Sequence, residues 1–533
     1  MGIYCLRGES IVKKHYKTLC VLSLIFIFFV SSAAGCAKEA FSVSEYWPTS
    51  GWKTSTPEAQ GMDSTKLNEM FSYINESGFD IHSILIIRNG YMIAESYPYP
   101  YKREYRHIIN SATKSITSAA VGLALQDGFI KSLDQKVVDF FPEMKIDNLD
   151  SRKESMTVKH LLTMTAGLDW RENADYGTQN NDSTRMWTEK NQLQYLLDKP
   201  MKEEPGKSFY YNSGASHALS AIVQKTSGKT SLEYITERVF KPLGISDISW
   251  GTDKQGIYSG GGRIFMRPED LAKYGYLYLN KGKWEGKQLI SEQWVEDSTK
   301  KQVATPHGLA GQYGYCYQWW QNKFGGYSAR GFAGQYLFVV PEYNLVAVFT
   351  SGLKPVDFYR PESLVDKYII PSIKDSKSIP ENKAAYEALQ KTLAEISKAP
   401  SPKPVPKLPE TAAQISGKTY VMDNKETYSF EFKDGSECIM HWFSDGVMYD
   451  AQIGLDGVYR VSDMDAFYWK GMTTKAGFRG SWTDDNTFVT DLIPLEDCNT
   501  YRQEFRFDGG KLSVKMIQVL NGAAVTDTSG TVK

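Results

Sequence analysis

Hydrophobic and polar positions divide the chain into segments of different period. An apolar run over 19–30, broken only by Ser23, follows Lys13, Lys14 and Lys17 and ends in small residues before Cys36. A basic stretch, an apolar centre and a small-residue end are the plan of a secretory signal. No other stretch approaches the roughly 18 apolar residues that a membrane span needs. After an extended leader, Leu67, Met70, Phe71 and Ile74 recur at helical spacing and predict a helix over 62–77. Residues 81–88 read as a strand, Asn89-Gly90 as a two-residue hairpin turn, and 91–97 as the returning strand. From 111 to 126 the period becomes helical, with Ala119, Ala120, Gly122 and Ala124 small enough for close packing. Helical stretches and loops continue to about residue 300, and 337–350 reads as two more strands across Pro341-Glu342-Tyr343-Asn344. Strands at both ends of a helical middle predict an α+β domain, with the terminal strands in one antiparallel sheet and the helical region beside it.

The pattern then changes. Residues 381–397 predict a charged, Ala-rich helix, and prolines at 400, 402, 404, 406 and 409 predict a semi-rigid extended spacer. Short alternating runs follow, with turn signals at Asp434-Gly435, Asp445-Gly446, Asp456-Gly457, Asp508-Gly509 and Asn521-Gly522. They predict a C-terminal all-β domain, sandwich or barrel, in which no residues show catalytic spacing. The expected division is a lipoprotein-type signal peptide at 1–35, a leader at 36–60, the α+β domain at 61–375, a helix and Pro-rich linker at 376–410, and the β domain at 411–533.

Charge and cysteines narrow the setting. With 61 basic and 62 acidic side chains the net charge is -1, which gives no general attraction to nucleic acid. The small residues before Cys36 resemble a bacterial lipobox. On that reading Cys36 is lipidated and holds an exported envelope protein at a membrane surface; a plain signal peptide or an uncleaved anchor is the other reading. Cys438 and Cys498 could pair in an oxidising compartment, which sequence leaves open, and Cys316 would then be an odd thiol between aromatic neighbours.

Candidate chemistry starts at Ser111-Ala112-Thr113-Lys114. On a helix, positions i and i+3 share a face, so hydroxyl and ammonium would sit side by side. A serine hydroxyl needs a base to take its proton, and a desolvated lysine can supply one. The S-x-x-K pattern also occurs from Ser10, Ser50, Ser298 and Ser351, so it carries little alone. Ser111 differs in opening a small-residue helix, where exposed N–H groups favour an oxyanion; a simple helix cap is the competing role. The second constellation is Pro205-Gly206-Lys207-Ser208-Phe209-Tyr210-Tyr211-Asn212-Ser213-Gly214. A tyrosine at this loop-to-helix junction can face a cleft, and beside a lysine ammonium its pKa is expected to fall, fitting it for proton transfer.

Further motifs are Leu161-Leu162-Thr163-Met164-Thr165-Ala166-Gly167-Leu168, Gly260-Gly261-Gly262-Arg263 with Pro268-Glu269-Asp270-Leu271-Ala272, Tyr313-Gly314-Tyr315 with Gln318-Trp319-Trp320, and Gly331-Phe332-Ala333-Gly334-Gln335. In this order, over about residues 50–370, the chain resembles the serine β-lactamase and penicillin-binding superfamily in its class C-like branch. That branch includes β-lactamases, D-alanyl carboxypeptidases, esterases and 6-aminohexanoate-dimer hydrolases. The resemblance implies a β-lactamase/transpeptidase-like fold, Ser111 as the acylated nucleophile and Lys114 as its partner. It gives the general-base role to Tyr211, with Tyr210 as the competing register. It also implies an oxyanion hole from the backbone of Ser111 and Gln335, substrate contacts at Asn212, Ser213, Phe332 and Gly334, and no cofactor or metal.

One position departs from the pattern. Class C β-lactamases carry K-T-G where this chain reads Phe332-Ala333-Gly334, so that position offers no cation for a β-lactam or D-alanine carboxylate. Arg330 is the nearby candidate to replace it. The expectation is a serine hydrolase that opens a small-molecule ester or amide through an acyl-enzyme. A true D,D-peptidase or β-lactamase, and a catalytically silent envelope binding protein, are the alternatives. Gly334 is expected to let the backbone approach substrate closely. The sequence has no G-x-S-x-G elbow, H-E-x-x-H pair or nucleotide-binding glycine pattern.

Overall fold

The hydrophobic run over 81–88 is buried along its whole length, and this fixes its place at the centre of a sheet covered on both sides. The computed structural model describes residues 46–172, 176–305, 313–433, 435–465 and 472–533. The signal segment, Cys36 and the leader up to residue 45 lie outside the described residues. Strand β1 (Ile81–Arg88) turns through Asn89-Gly90, both at positive φ, into β2 (Tyr91–Ser96). Two short strands, β3 (His107–Ile108) and β4 (Ile248–Trp250), flank β5 (Ile264–Met266), and a small hairpin pairs β6 (Lys283–Trp284) with β7 (Lys287–Gln288). Strands β8 (Trp320–Gln321), β9 (Tyr327–Gly331), β10 (Gln335–Val340) and β11 (Leu345–Ser351) complete a six-stranded sheet in the order β2-β1-β11-β10-β9-β8. Residues from the two ends of the domain thus pair directly, Leu85 opposite Val348.

Period-2 alternation explains the double burial. Leu85, Ile87, Leu337, Val339, Val346 and Val348 face the large core shared with the helical region. Ile84, Ile86, Phe338, Val340, Ala347 and Phe349 face a second core beneath the Ser64–Ser77 and Lys383–Ser397 helices. The expected helix over 62–77 begins two residues later because the Asp63 carboxylate caps it, accepting from Thr65 N, and it stops at Gly78 in the left-handed region.

The C-terminal strands are β12 (Thr419–Met422), β13 (Thr427–Phe432), β14 (Glu437–Ser444), β15 (Val447–Gly454), β16 (Arg460–Asp465), β17 (Thr473–Trp482), β18 (Thr487–Pro494), β19 (Tyr501–Asp508), β20 (Lys511–Gln518) and β21 (Ala524–Val532). They form a ten-stranded sheet in which β12 pairs with β21, and a β15–β17 contact at Gly454 and Arg479 closes the barrel. Its interior is aromatic, with Tyr428, Phe430, Phe488 and Phe505 in mutual edge contact or tilt.

One expected turn moves, and two further points take definite form. The β19–β20 turn is Gly509-Gly510 rather than Asp508-Gly509, because Asp508 still pairs with Lys511. The Pro-rich stretch, without helix or strand, lies on the barrel: Lys403 N donates to Asp456 O, and Val405 and Leu408 pack on the barrel core. Cys438 and Cys498 do not pair. Cys438 is sealed in the barrel core, whereas Cys498 sits on the β18–β19 connection against Ala333 and Leu520. Cys316 is buried, with its thiol donating to Thr299 O.

That β18–β19 connection docks on the α+β domain. Glu496 O accepts from Ile108 N at 2.8 Å, and the Glu496 carboxylate pairs with Arg106. These contacts hold β3, the strand that leads into Ser111.

Candidate active site

Ser111 sits in a single 3-10 turn, Asn110–Ala112, that runs into the Thr113–Gln126 helix. Asn110 enters this turn at φ 45°, a conformation asparagine tolerates better than most residues. The Ser111 hydroxyl does not cap the helix; Ala112 occupies the cap position without a side-chain bond. Instead the hydroxyl lies 2.9 Å from Lys114 Nζ, one helical turn on. Lys114 is fully buried and also donates to Ser213 Oγ at 3.0 Å and Gly261 O at 2.8 Å.

Burial lowers the Lys114 pKa to about 8, while the nearby Glu172 carboxylate pulls it back up. About one lysine in ten is therefore neutral at pH 7. The neutral amine keeps two N–H donors and gains one lone pair. Gly261 O and Ser213 Oγ can take the donors, which leaves the lone pair for the Ser111 proton.

The loop carrying Tyr211 is held by the Leu161–Leu168 motif. Met164 O accepts from Tyr210 N, and Thr165 O from Gly206 N. Tyr211 hydrogen-bonds to Ser111, its ring lies 4.7 Å from Lys114 Nζ, and Trp320 stacks on it at 5.9 Å. Tyr210 turns away, with Lys202 over its ring. The expected fall in the Tyr211 pKa is reversed: burial, and then Glu172, push it well above the usual phenol value.

Glu172 escaped the sequence analysis. It is buried beside Ser213, with Oε1 accepting from Ser213 Oγ at 2.5 Å and Tyr176 OH at 3.1 Å. Oε2 accepts from Ser213 N at 2.7 Å and Trp170 Nε1 at 2.8 Å. A continuous chain results: Ser111, Lys114, Ser213, Glu172. The only available signal was its place just after the Leu161–Leu168 motif.

The remaining expected site residues divide. Ser213 is in the centre. Asn212 is instead the cap of the Ser213–Ser227 helix; its side-chain oxygen accepts from Ala215 N, which gives it a structural task. Phe332 forms a wall, edge-on to Tyr176 at 5.4 Å and to Phe358 at 5.0 Å. Asn110 Nδ2 donates to Phe332 O at 3.0 Å and contacts Cys498 Sγ at 3.3 Å, so the barrel touches the residue before Ser111. The β domain shows no catalytic spacing in sequence, yet Cys498 reaches the segment that carries Ser111.

Gly334 holds a backbone conformation that side chains rarely adopt. It has φ 89°, and a Cβ there would meet Leu353 Cδ1 at 2.7 Å. Gln335 starts β10, its amide side chain bonded to Phe332 O and to both Ser351 backbone groups. Arg330 is buried and committed to Glu362, Ser328, Gln321 and Asn322. It does not replace the missing cation.

A sheet closed by both ends of the domain, a helical region beside it and a serine-lysine pair at their junction define the β-lactamase/transpeptidase-like class of hydrolases. The Beta-lactamase family model matches residues 77–365, more than half of the chain, and the protein belongs to that family. Among curated proteins it is 25% identical over 307 residues to the 6-aminohexanoate-dimer hydrolase of Paenarthrobacter ureafaciens, covering 54% of this chain and 76% of that one. It is 30% identical over 159 residues to the lovastatin esterase of Penicillium rubens, covering 26% of this chain and 37% of that protein. A solved structure, the octameric penicillin-binding protein homologue from Pyrococcus abyssi, superposes with a TM-score of 0.47 at 16% identity, over 87% of this chain and all of that one. The family comprises β-lactamase-fold hydrolases that include esterases and amidases.

Proposed function

We propose that the protein is a serine hydrolase that cleaves a small ester or amide by two-step acyl transfer. The observation that carries this reading is the Ser111 hydroxyl 2.9 Å from a buried Lys114 whose pKa is lowered to about 8. Neutral Lys114 takes the Ser111 proton as the oxygen attacks the carbonyl carbon. The backbone N–H groups of Ser111 and Gln335 receive the oxyanion, a stabilisation typically worth about 3 to 4 kcal/mol per donor. Tyr211, hydrogen-bonded to Ser111 and held in its protonated form by burial, passes a proton to the leaving alcohol or amine. It regains one from Lys114. Water then attacks the acyl-enzyme by the same route in reverse.

Esters and small amides are favoured over β-lactams because Phe332 stands where a cation would be needed and Arg330 is locked to Glu362. The test is labelling by a fluorophosphonate together with turnover of p-nitrophenyl esters and nitrocefin. Ser111→Ala should abolish labelling and ester turnover. Equal labelling of both proteins, as expected for a silent binding protein, refutes the mechanism, and nitrocefin turnover far above ester turnover refutes the substrate class. The export signal and lipidation at Cys36 complete the proposal and place this chemistry at a membrane surface of the bacterial envelope.

A further inference from the structure

The glycines at 260–262 pack against the reacting groups. A Cβ on Gly260 would meet Ser216 O at 2.0 Å, and one on Gly261 would meet Ser213 O at 3.0 Å. Gly261 O receives a Lys114 hydrogen bond, and Gly262 lies beside Asn110. The next residue, Arg263, is held at φ 68°, in the left-handed region that a long side chain rarely adopts. A non-glycine residue kept in such a conformation invites a functional explanation.

The Arg263 side chain strengthens that case. Its guanidinium lies 5.4 Å over the ring of Trp187, which is 40% exposed. Among the described residues it makes no hydrogen bond or ion pair. Asp253 is the acidic group that acts on it, but that carboxylate is already occupied by His217 and by the N–H groups of Gln255 and Ile257. Burial disfavours the Arg263 charge. The contrast with Arg330, which has bonds to four other residues, separates a structural arginine from one with donors to spare.

We propose that Arg263, backed by Trp187, is an anion-recognition subsite that selects ester or amide substrates carrying a free carboxylate away from the scissile bond. The subsite deepens the hydrolase reading and rests on it for the substrate class. A planar guanidinium with free donors can grip a carboxylate through two parallel bonds, and the indole face holds the guanidinium flat. Arg263 follows Gly262, which lies beside Asn110 on the segment that carries Ser111. That position is distinct from Phe332-Ala333-Gly334, where a class C β-lactamase carries its K-T-G.

The test compares anionic and neutral esters in matched pairs: mono-p-nitrophenyl glutarate against p-nitrophenyl valerate, and 4-acetoxybenzoate against phenyl acetate. In at least one pair the anionic-to-neutral ratio of kcat/KM should fall about tenfold in Arg263→Asn, chiefly through KM, and stay within about threefold of wild type in Arg263→Lys. Asparagine accepts the left-handed backbone, so the variant tests charge rather than folding. Equal loss on both members of each pair, or no change in either ratio, overturns the subsite. Calorimetric binding of the two anionic esters to Ser111→Ala separates the two readings. Binding that depends on Arg263 without wild-type turnover keeps the subsite and rejects the hydrolase. Ser111-dependent turnover with binding indifferent to Arg263 does the reverse.

Discussion

Glu172→Gln tests whether the buried carboxylate tunes Lys114. The four donors on Glu172 are of two kinds. Ser213 N and Trp170 Nε1, on Oε2, can only donate. Ser213 Oγ and Tyr176 OH, on Oε1, are hydroxyls and can also accept. A glutamine will therefore keep its oxygen toward the two N–H groups and turn its amide nitrogen toward the hydroxyls. The fold should survive, with a loss of about 1 to 2 kcal/mol as charge-assisted bonds become neutral ones.

Function should suffer more. With a carboxylate behind it, Ser213 must donate to Glu172 and presents lone pairs to Lys114. With an amide behind it, the Ser213 hydrogen can swing toward Lys114 and compete with Ser111 for the amine lone pair. We expect kcat/KM to fall roughly 10- to 100-fold, equivalent to about 1.4 to 2.7 kcal/mol. The pH profile gives the sharper signature. Activity needs neutral Lys114, so kcat/KM of the wild type should rise with pH through about 8. Glu172 raises the Lys114 pKa, so removing its charge moves that limb to lower pH. The assay is ester hydrolysis from pH 5 to 10, with thermal melts to check folding. A well-folded variant with kcat/KM within twofold and an unmoved limb would refute the reasoning, as would a limb shifted upward.

Other outcomes follow from packing and charge. In Gly331→Ala the new methyl would meet Ile109 O at 2.3 Å, pushing the Phe332 turn off the Ser111 segment; a cost of about 1 to 3 kcal/mol in stability and a large loss of ester turnover should appear in melts and kinetics. Glu362→Met strands the buried Arg330 charge and should destabilise the fold by about 3 to 5 kcal/mol in urea titrations, leaving the preference between neutral and anionic esters unchanged. Cys36→Ala should shift the protein from the membrane fraction to the soluble fraction in a bacterial host and abolish palmitate labelling.

What could be read from the sequence was what local pattern determines. The Ser64–Ser77 helix shows through its apolar stripe, and its true start depends on one capping side chain. Strands β1, β10 and β11 show because strands buried on both faces carry near-continuous apolar runs, and the edge strand β2 shows through the Asn89-Gly90 turn that precedes it. Ser111, Lys114 and Tyr211 could be named together because the order of the motifs resembles a known family; the S-x-x-K spacing, which occurs five times, did not single them out. Residues whose role depends on a distant partner stayed hidden. Arg330 looked available until Glu362 met it across 32 residues of chain. The contact between Cys498 and Asn110 spans 388 residues, and no pattern in the barrel strands announces it. Glu172 had only its position after a motif, since one carboxylate has no spacing to recognise.

The Tyr211 pKa shows why proximity in sequence is a poor guide to electrostatics. A neighbouring ammonium stabilises a phenolate, and that reasoning alone predicts a lowered value. Burial, however, disfavours every charge it encloses. It drives a lysine down and a tyrosine up, and Lys114 and Tyr211 are buried together. Glu172 then raises both, because a negative charge favours the ammonium and opposes the phenolate. The two groups are pushed toward opposite tasks: a lysine neutral often enough at pH 7 to accept the Ser111 proton, and a tyrosine that keeps its own until a leaving group needs it.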